Sequence, residues 1–329
     1  MGDIIHTLPV ANRLKCEWPQ AKISWLVEPA HKELISNHPD IDEIIVLNTK
    51  SWRKMGWQAT AGEIKFQWED LRRRKLDLAL DLQGLIKSGV ITFATGAPRR
   101  LGFAWSECRE PLSSIFTNRH VHPAKGIHII ERNLAFVGKL GLATEPWDYN
   151  LKPEPAALGY IRQFLETQNL QPNRLVGINP GAAWSTKRWG AEKFARLADM
   201  LAQRLGAQIL LIWGPGELEL VQEIQHLSDS PIVLACPTNI KQLMALLAQC
   251  KLLIAGDTGP LHLGAAMGTH CVGIFGPTDP VRNGPYGEQH GMVQHKLPCS
   301  NCYRRKCKRA RCIIEIEPEE VYTAASRLL

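Results

Sequence analysis

Two periods alternate along the chain. Short apolar runs of about four to eight residues, the length of buried strands, are separated by longer segments in which apolar residues recur every three or four positions, as on one face of a helix. Ile4 to Leu14 predicts a helix entered through Gly2 and Asp3, and the strands ISWLV (Ile23 to Val27) and IDEIIVL (Ile41 to Leu47) follow. A polar, Trp-containing stretch then runs through Trp68 to the strand LDLALDL (Leu76 to Leu82), a helix from Leu85, a short RRLGF strand (Arg99 to Phe103) and a helix near Glu131 to Leu140. Strands alternating with helices predict a parallel sheet covered on both faces. NLKPEPAA, Asn150 to Ala157, is rich in proline and marks a linker.

After a helix near Leu158 to Gln168 the pattern restarts, with strands LVGINPG (Leu175 to Gly181), QILLIWGPG (Gln208 to Gly216), PIVLAC (Pro231 to Cys236), LLIA (Leu252 to Ala255) and CVGIF (Cys271 to Phe275). The fold class is therefore α/β, with two Rossmann-like domains, 1–155 and 156–329, facing a central cleft, because ligands gather at the carboxyl ends of parallel strands. The last helix, near Pro318 to Leu329, is needed by neither sheet and is free to cross back to the first half.

The most informative stretch is LLIAGDTGPLHLGAAMGTHCVGIFGPTDP, Leu252 to Pro280, which reads as strand, tight turn, helix, strand. Pro260 suits a first helical turn, where its missing N–H would have no partner anyway, and Thr258 and Gly259 leave backbone N–H groups aimed outward. Such a helix end attracts phosphate. His262 falls within the first turn, and Gly264, Ala265 and Ala266 let the helix lie close to its sheet. Alone, the stretch is equally an ordinary strand-to-helix turn.

Two further loops should end strands on the same edge: NPGAAWSTKRW (Asn179 to Trp189) and WGPGELE (Trp213 to Glu219). They add Lys187 as a phosphate-seeking cation, and Glu217 and Glu219 as acids able to hydrogen-bond a ribose. Each has a plain alternative: surface charge for Lys187, a helix start for the two glutamates, turn ordering for Asp257. A nucleoside diphosphate would satisfy all three loops together. The sequence has no GxxxxGK[ST], and WGPGELE lacks the third glycine of a dinucleotide fingerprint, so nucleotide hydrolysis and hydride transfer are disfavoured. The single Asp-x-Asp, Asp40 and Asp42, precedes a strand rather than following one, which disfavours a metal-chelated diphosphate.

Composition narrows this further. With 329 residues, 45% hydrophobic and 22% charged, the chain is typical of a soluble two-domain protein. No apolar run approaches the roughly 20 residues that span a bilayer, and MGDIIHTLP lacks the blocks of a signal peptide, so the expected location is the cytoplasm. The net charge of +7 concentrates in Arg72 to Lys75, in Arg99 and Arg100, and in RRKCKRAR, Arg304 to Arg311. With no nucleic-acid motif and little aromatic interleaving, Arg72 to Lys75 reads first as a solvated face, and an anionic glycolipid or a membrane surface fits the charge equally well. Cys299, Cys302, Cys307 and Cys312 are spaced C-x2-C-x4-C-x4-C, a set that suits a structural zinc or an iron–sulfur cluster, with four free thiols as the alternative. Cys16, Cys108, Cys236, Cys250 and Cys271 sit in apolar contexts and are expected in cores.

GDIIHTLP at the start, DLQGLIKSG (Asp81 to Gly89), NPGA…KRW, WGPGE and GDTGPLHLGAAMGTHCVGIFGPTDP, in this order, resemble the lipopolysaccharide heptosyltransferases of glycosyltransferase family 9. The resemblance covers essentially the whole chain. It implies a GT-B fold and an inverting, metal-independent transfer of heptose from ADP-heptose to the lipopolysaccharide inner core, with no cofactor in the chemistry. By match to the family's motifs, Lys187 contacts phosphate or sugar, Asp257 the sugar hydroxyls, Thr258, Gly259 and His262 the diphosphate, and Glu217 or Glu219 the ribose. Asp3 matches the general base, and His6, in the same motif, lies on the acceptor side. Members of the family begin with a strand ahead of the GD turn that the sequence, starting at Met1, does not contain. The expectation is a start placed too late or a truncated chain, because a parallel sheet without its innermost strand leaves ladder groups and apolar faces unpaired.

The rival within enzymes is a transferase for another nucleotide sugar. The rival outside them is a nucleotide-sugar-binding protein without turnover.

Overall fold

The computed structural model describes residues 1–49 and 57–329, so the polar stretch read through Trp68 lies partly outside the described residues. These fall into two compact units: His6–Asn150, and Leu151–Leu329 together with Met1–Ile5.

The helix expected over Ile4 to Leu14 is broken in two, α1 (Gly2–Ile5) and α2 (Leu8–Glu17). Pro9 is the reason. In the first turn of α2 its missing N–H costs nothing, whereas in a helix continued from Ile5 it would remove a bond and clash with the preceding turn. The unit His6–Asn150 continues with β1 (Ser24–Val27), α3 (Lys32–Ile35), β2 (Glu43–Val46), α4 (Trp57–Arg73), β3 (Leu78–Asp81), α5 (Ile86–Ala94), β4 (Arg99–Phe103), β5 (Arg119–Val121) and α6 (Ile129–Lys139).

All of its strand pairs are parallel, but they form two sheets, β1-β2 and β3-β4-β5, where one was expected. No described strand joins β1 to β3, and Leu26, Leu78 and Leu80 on these strands are only half-buried. Leu101, Phe103 and Val121 pack on Phe136 of α6, and Ile45 packs with Leu71 and Ala94. Asp40 is buried and accepts from Asn12 at 3.1 Å and Asn150 at 2.7 Å, while Asp42 pairs with Lys15 at 2.8 Å. The Asp-x-Asp pair is thus held by its neighbours as scaffold.

The larger unit holds α7 (Pro155–Thr167), β6 (Leu175–Asn179), α8 (Ala191–Leu205), β7 (Gln208–Leu211), α9 (Leu218–Leu227), β8 (Ile232–Leu234), α10 (Ile240–Gln249), β9 (Leu252–Gly256), α11 (Gly259–Ala266), β10 (His270–Phe275), α12 (Pro280–Asn283), β11 (Gly291–Gln294), α13 (Arg311–Ile314) and α14 (Pro318–Ser326). Six parallel strands run in the order β11-β10-β9-β6-β7-β8. The chain winds outward from β6 in one direction and from β9 in the other, so the order reverses between these two neighbours. Loops following strands on either side of such a reversal open a crevice in which ligands bind.

Helix α14 packs on the sheet of its own unit. Its Val321 and Ala325 lie in the same core as Val272, Val293 and Leu201, because β10 and β11 have an apolar face that this amphipathic helix covers. Among the cysteines expected in cores, Cys250 and Cys271 are buried, and burial pushes the Cys250 thiol up to about 12. Cys16 is exposed near the end of α2, a correction that follows from its place after the buried face of that helix.

Candidate functional site

The loops after β6 and β9 meet because their strands are hydrogen-bonded neighbours, with Asn179 beside Ala255. Two close approaches fix the geometry. The Lys187 carbonyl oxygen lies 3.4 Å from where a Cβ on Gly256 would stand, and Gly264 brings α11 down onto Leu253 where a side chain would clash. Lys187 then reaches across 70 residues of sequence. Its Nζ donates to Asp257 Oδ2 at 2.7 Å and to the Asp257 carbonyl at 2.8 Å. On the other side, His262 Nε2 lies 3.1 Å from Asp257 Oδ1, so one carboxylate orients both groups at the start of α11. Asp257 is 8% exposed and His262 6%. Burial alone would favour the protonated acid, but the hydrogen bond and charge of His262 and the charge of Lys187 outweigh it and hold the carboxyl well below the usual carboxylate range.

Thr258 occupies the N-cap of α11 with extended backbone, and its hydroxyl donates to the Gly256 carbonyl at 3.2 Å instead of capping the helix. The Thr258 side chain thus makes no capping bond to these first N–H groups, the arrangement that suits an anion. Glu217 turns back toward the β6 loop. Its Oε2 accepts the Gly214 N–H at 2.9 Å, and its carboxylate occupies the space where a Cβ on Gly181 would stand, so a larger residue at 181 would displace it. Glu219 is exposed in the first turn of α9. Of the two glutamates, Glu217 is the one brought against the loop that carries Lys187.

The segment Met1–Ile5 lies against the same helix. Met1 packs over Gly259, and a Cβ on Gly2 would stand 3.0 Å from the His262 ring, so Asp3, exposed in the first turn of α1, belongs to the unit that carries Lys187 and Asp257. His6 falls in the other unit and is 6% exposed. Its ring meets His128 edge-on at 5.9 Å, and Asn133 donates to its carbonyl at 2.9 Å. The expected acceptor contact of His6 thus sits in a buried position.

Two features were not anticipated. Lys187 Nζ lies 4.5 Å from the centre of the Trp184 ring, and the Arg305 guanidinium lies 5.0 Å from the same ring. The cysteine-rich segment is moored to the Lys187 loop as well: Thr186 Oγ1 donates to the Arg304 carbonyl at 2.8 Å, and Ser185 to that of Arg305 at 3.4 Å. Within that segment Cys312 is buried and Cys299, Cys302 and Cys307 are exposed. Burial raises the Cys312 thiol, and the other three cysteines raise it further; Cys307 Sγ accepts the Ala310 N–H at 3.3 Å. Among the described residues, no three His, Cys, Asp or Glu side chains converge closely enough to hold a metal ion.

The family model for glycosyltransferase family 9 (heptosyltransferase) matches residues 65–313. The chain belongs to this family; it is a glycosyltransferase, and its two α/β units with parallel sheets are of the GT-B class. It is 30% identical over 309 residues to lipopolysaccharide heptosyltransferase 1 of Pseudomonas aeruginosa, covering 93% of this chain and 84% of the relative. It is also 30% identical to lipopolysaccharide heptosyltransferase 1 of Escherichia coli, over 88% of both chains. Among solved structures, the E. coli heptosyltransferase WaaC with ADP superposes with a TM-score of 0.79 at 26% identity, over 100% of this chain and 97% of that one. A family 9 glycosyltransferase from Veillonella parvula shares the fold at a TM-score of 0.85 and 24% identity, over 99% and 94%.

Proposed function

We propose that the protein transfers heptose from ADP-heptose to the inner core of lipopolysaccharide, with inversion and without a metal in the chemical step. The observation that carries this reading is the single buried carboxylate of Asp257, which aims Lys187 and His262 at the uncapped start of α11. The acceptor hydroxyl attacks the anomeric carbon while the bond from that carbon to the diphosphate breaks on the opposite face. Asp3 takes the hydroxyl's proton. Lys187, His262 and the N–H groups at Thr258 and Gly259 steady the charge that collects on the departing ADP. Asp257 holds Lys187 and His262 and meets the sugar hydroxyls, and Glu217, ahead of Glu219, receives the ribose. His6 orders the acceptor side of the first domain from its buried position, the domains being 1–155 for acceptor and 156–329 for donor.

Three further parts of this reading concern partners and place. The protein works in the cytoplasm, peripheral to the inner face of the inner membrane, where a lipid-anchored acceptor is presented; among the described residues no helix is long and apolar enough to cross a membrane. Nucleic acid is not a partner. Cys299, Cys302, Cys307 and Cys312 are a structural site for zinc or an iron–sulfur cluster; four sulfurs suit a soft ion, and the three exposed thiols would have to draw in toward Cys312.

The test incubates the purified protein with ADP-heptose and a heptose-free inner-core acceptor, following ADP release and the acceptor's mass. One heptose per acceptor is expected, with other nucleotide sugars inactive. ADP binding without any product would leave the non-catalytic rival standing.

A further inference from the structure

Helix α5 carries its large apolar residues on the outside. Its buried positions are Gly89, Thr92 and Ala94, whereas Ile86, Val90 and Phe93, spaced as neighbours on one helical face, are 39%, 37% and 42% exposed. Beside it, in the 3-10 turn Pro111–Phe116, Leu112 is 53% exposed and Ile115 65%. The two elements touch directly, since a Cβ on Gly89 would stand 2.8 Å from the Ser113 carbonyl and the Phe93 and Phe116 rings are 6.3 Å apart. The result is a contiguous apolar face rather than scattered exposed residues, and such faces mark interaction sites.

Its rim is basic. The Arg100 guanidinium lies 5.3 Å from the centre of the Phe93 ring, and Arg72 lies 5.6 Å from that of Trp68, which itself meets Phe93 edge-on at 6.0 Å. Lys87 stands on the same helix, and Arg99 is exposed on the adjoining β4. Two acids stand beside it: Glu28 pairs with Lys87 at 2.9 Å and offsets that cation, and Glu110 accepts the Ile86 N–H at 2.7 Å; the Arg100 guanidinium also donates to the Phe116 and Ala97 carbonyls, which fixes its position on the rim.

We propose that this face of α5 and the Pro111–Phe116 turn docks on an anionic phospholipid bilayer, with Ile86, Val90, Phe93, Leu112 and Ile115 entering the headgroup boundary and Arg72 and Arg100 meeting lipid phosphates. The inference rests on the reading above in one respect, that a lipid-anchored acceptor gives the protein a reason to be there. Apolar centre and cationic rim are the two requirements of interfacial binding. A second copy is the poorer occupant, because a self-complementary interface would bring two basic rims together.

The test is co-sedimentation of the full chain with vesicles of phosphatidylglycerol and phosphatidylethanolamine, and with vesicles of phosphatidylcholine alone, using neither donor nor acceptor. The protein is expected to bind the anionic vesicles, to release in high salt, and to leave phosphatidylcholine largely unbound. Leu112→Glu with Ile115→Glu, both at exposed positions, should lower partitioning about tenfold or more. ADP affinity and the melting temperature should not change. Equal partitioning of the double variant, or no binding of the parent protein to anionic vesicles, overturns the proposal. So does a dimer that the double variant converts to monomer without altering vesicle binding. Failure of heptose transfer with vesicle binding intact would sink the transferase reading alone.

Discussion

Lys187 Nζ lies 2.7 Å from Asp257 Oδ2 and 2.8 Å from the carbonyl oxygen of the same residue, so a cation from the loop after β6 is paired with an anion at the end of β9. The pair is held in a buried setting where each would be costly alone. In the proposed reaction a donor phosphate would share Lys187 with Asp257, and that sharing would keep the ammonium in place as charge builds on the leaving group.

Lys187→Ala should therefore weaken ADP binding by roughly 1.5–3 kcal/mol, the range for a hydrogen bond to a charged group. It should also lower stability, because the buried Asp257 carboxylate keeps only His262. Calorimetry with ADP and a thermal melt measure the two effects. Unaltered ADP affinity would remove Lys187 from the donor site.

His290 gives stability a pH dependence. Its Nδ1 accepts the Cys271 N–H at 3.2 Å; burial, reinforced by the charge of His270, pushes the ring down to about 4 from an ordinary 6.5. The folded protein thus binds this proton more weakly than the unfolded chain. Stability contributed by the neutral ring is complete above pH 6.5 and is lost as pH falls toward 4. The loss should stay below about 3 kcal/mol, because solvent screens a ring that is only partly buried. Denaturant titrations between pH 7 and 4 should show the decline, and His290→Asn should flatten it. An equal slope in both proteins would assign the dependence to other groups.

Much of the donor-side crevice was legible because its signals are local. Gly256, Asp257, Thr258, Gly259 and Pro260 are a strand end, a turn and a helix start written within five consecutive residues, and β9 and α11 form where they predict. The pairing of Lys187 with Asp257 spans 70 residues, and no periodicity carries such a distance. The same limit hid Arg305 beside Trp184, although both belong to segments that stand out by composition. Strands β5 (RHV) and β11 (GMVQ) went unread because three or four residues with a charge, a histidine or a glycine among them do not outweigh loop signals. The packing of α14 was not legible for another reason: its apolar stripe identifies a buried face but not which sheet buries it.

The cysteine-rich segment supplies a prediction about coupling. Because Arg304 and Arg305 accept hydrogen bonds from Thr186 and Ser185, whatever orders the segment also steadies the loop that carries Lys187. Protein purified without chelator should contain about one zinc, or iron with visible absorbance. Cys302→Ser with Cys307→Ser should lose the metal and weaken ADP binding by a few-fold. Metal-free protein with the parent's melting temperature and ADP affinity would leave four ordinary thiols.

In the proposed reaction Asp3 is the residue on which the chemistry turns. It lies in the first turn of α1, a helix of only four residues whose dipole can favour the carboxylate by no more than a few tenths of a kcal/mol, and it follows directly on Gly2, which packs against His262. If the carboxylate served only the helix, Asp3→Asn would change stability slightly and turnover hardly at all. As the base that takes the acceptor hydroxyl's proton, it should instead cost roughly 10²–10⁴-fold in turnover when made Asn, with donor affinity and melting temperature nearly unchanged. The split between kcat and binding is the useful readout, since a disturbed α1 would shift Gly2 off His262 and weaken ADP binding as well. Near-normal turnover in the Asn variant would mean that another group accepts the proton.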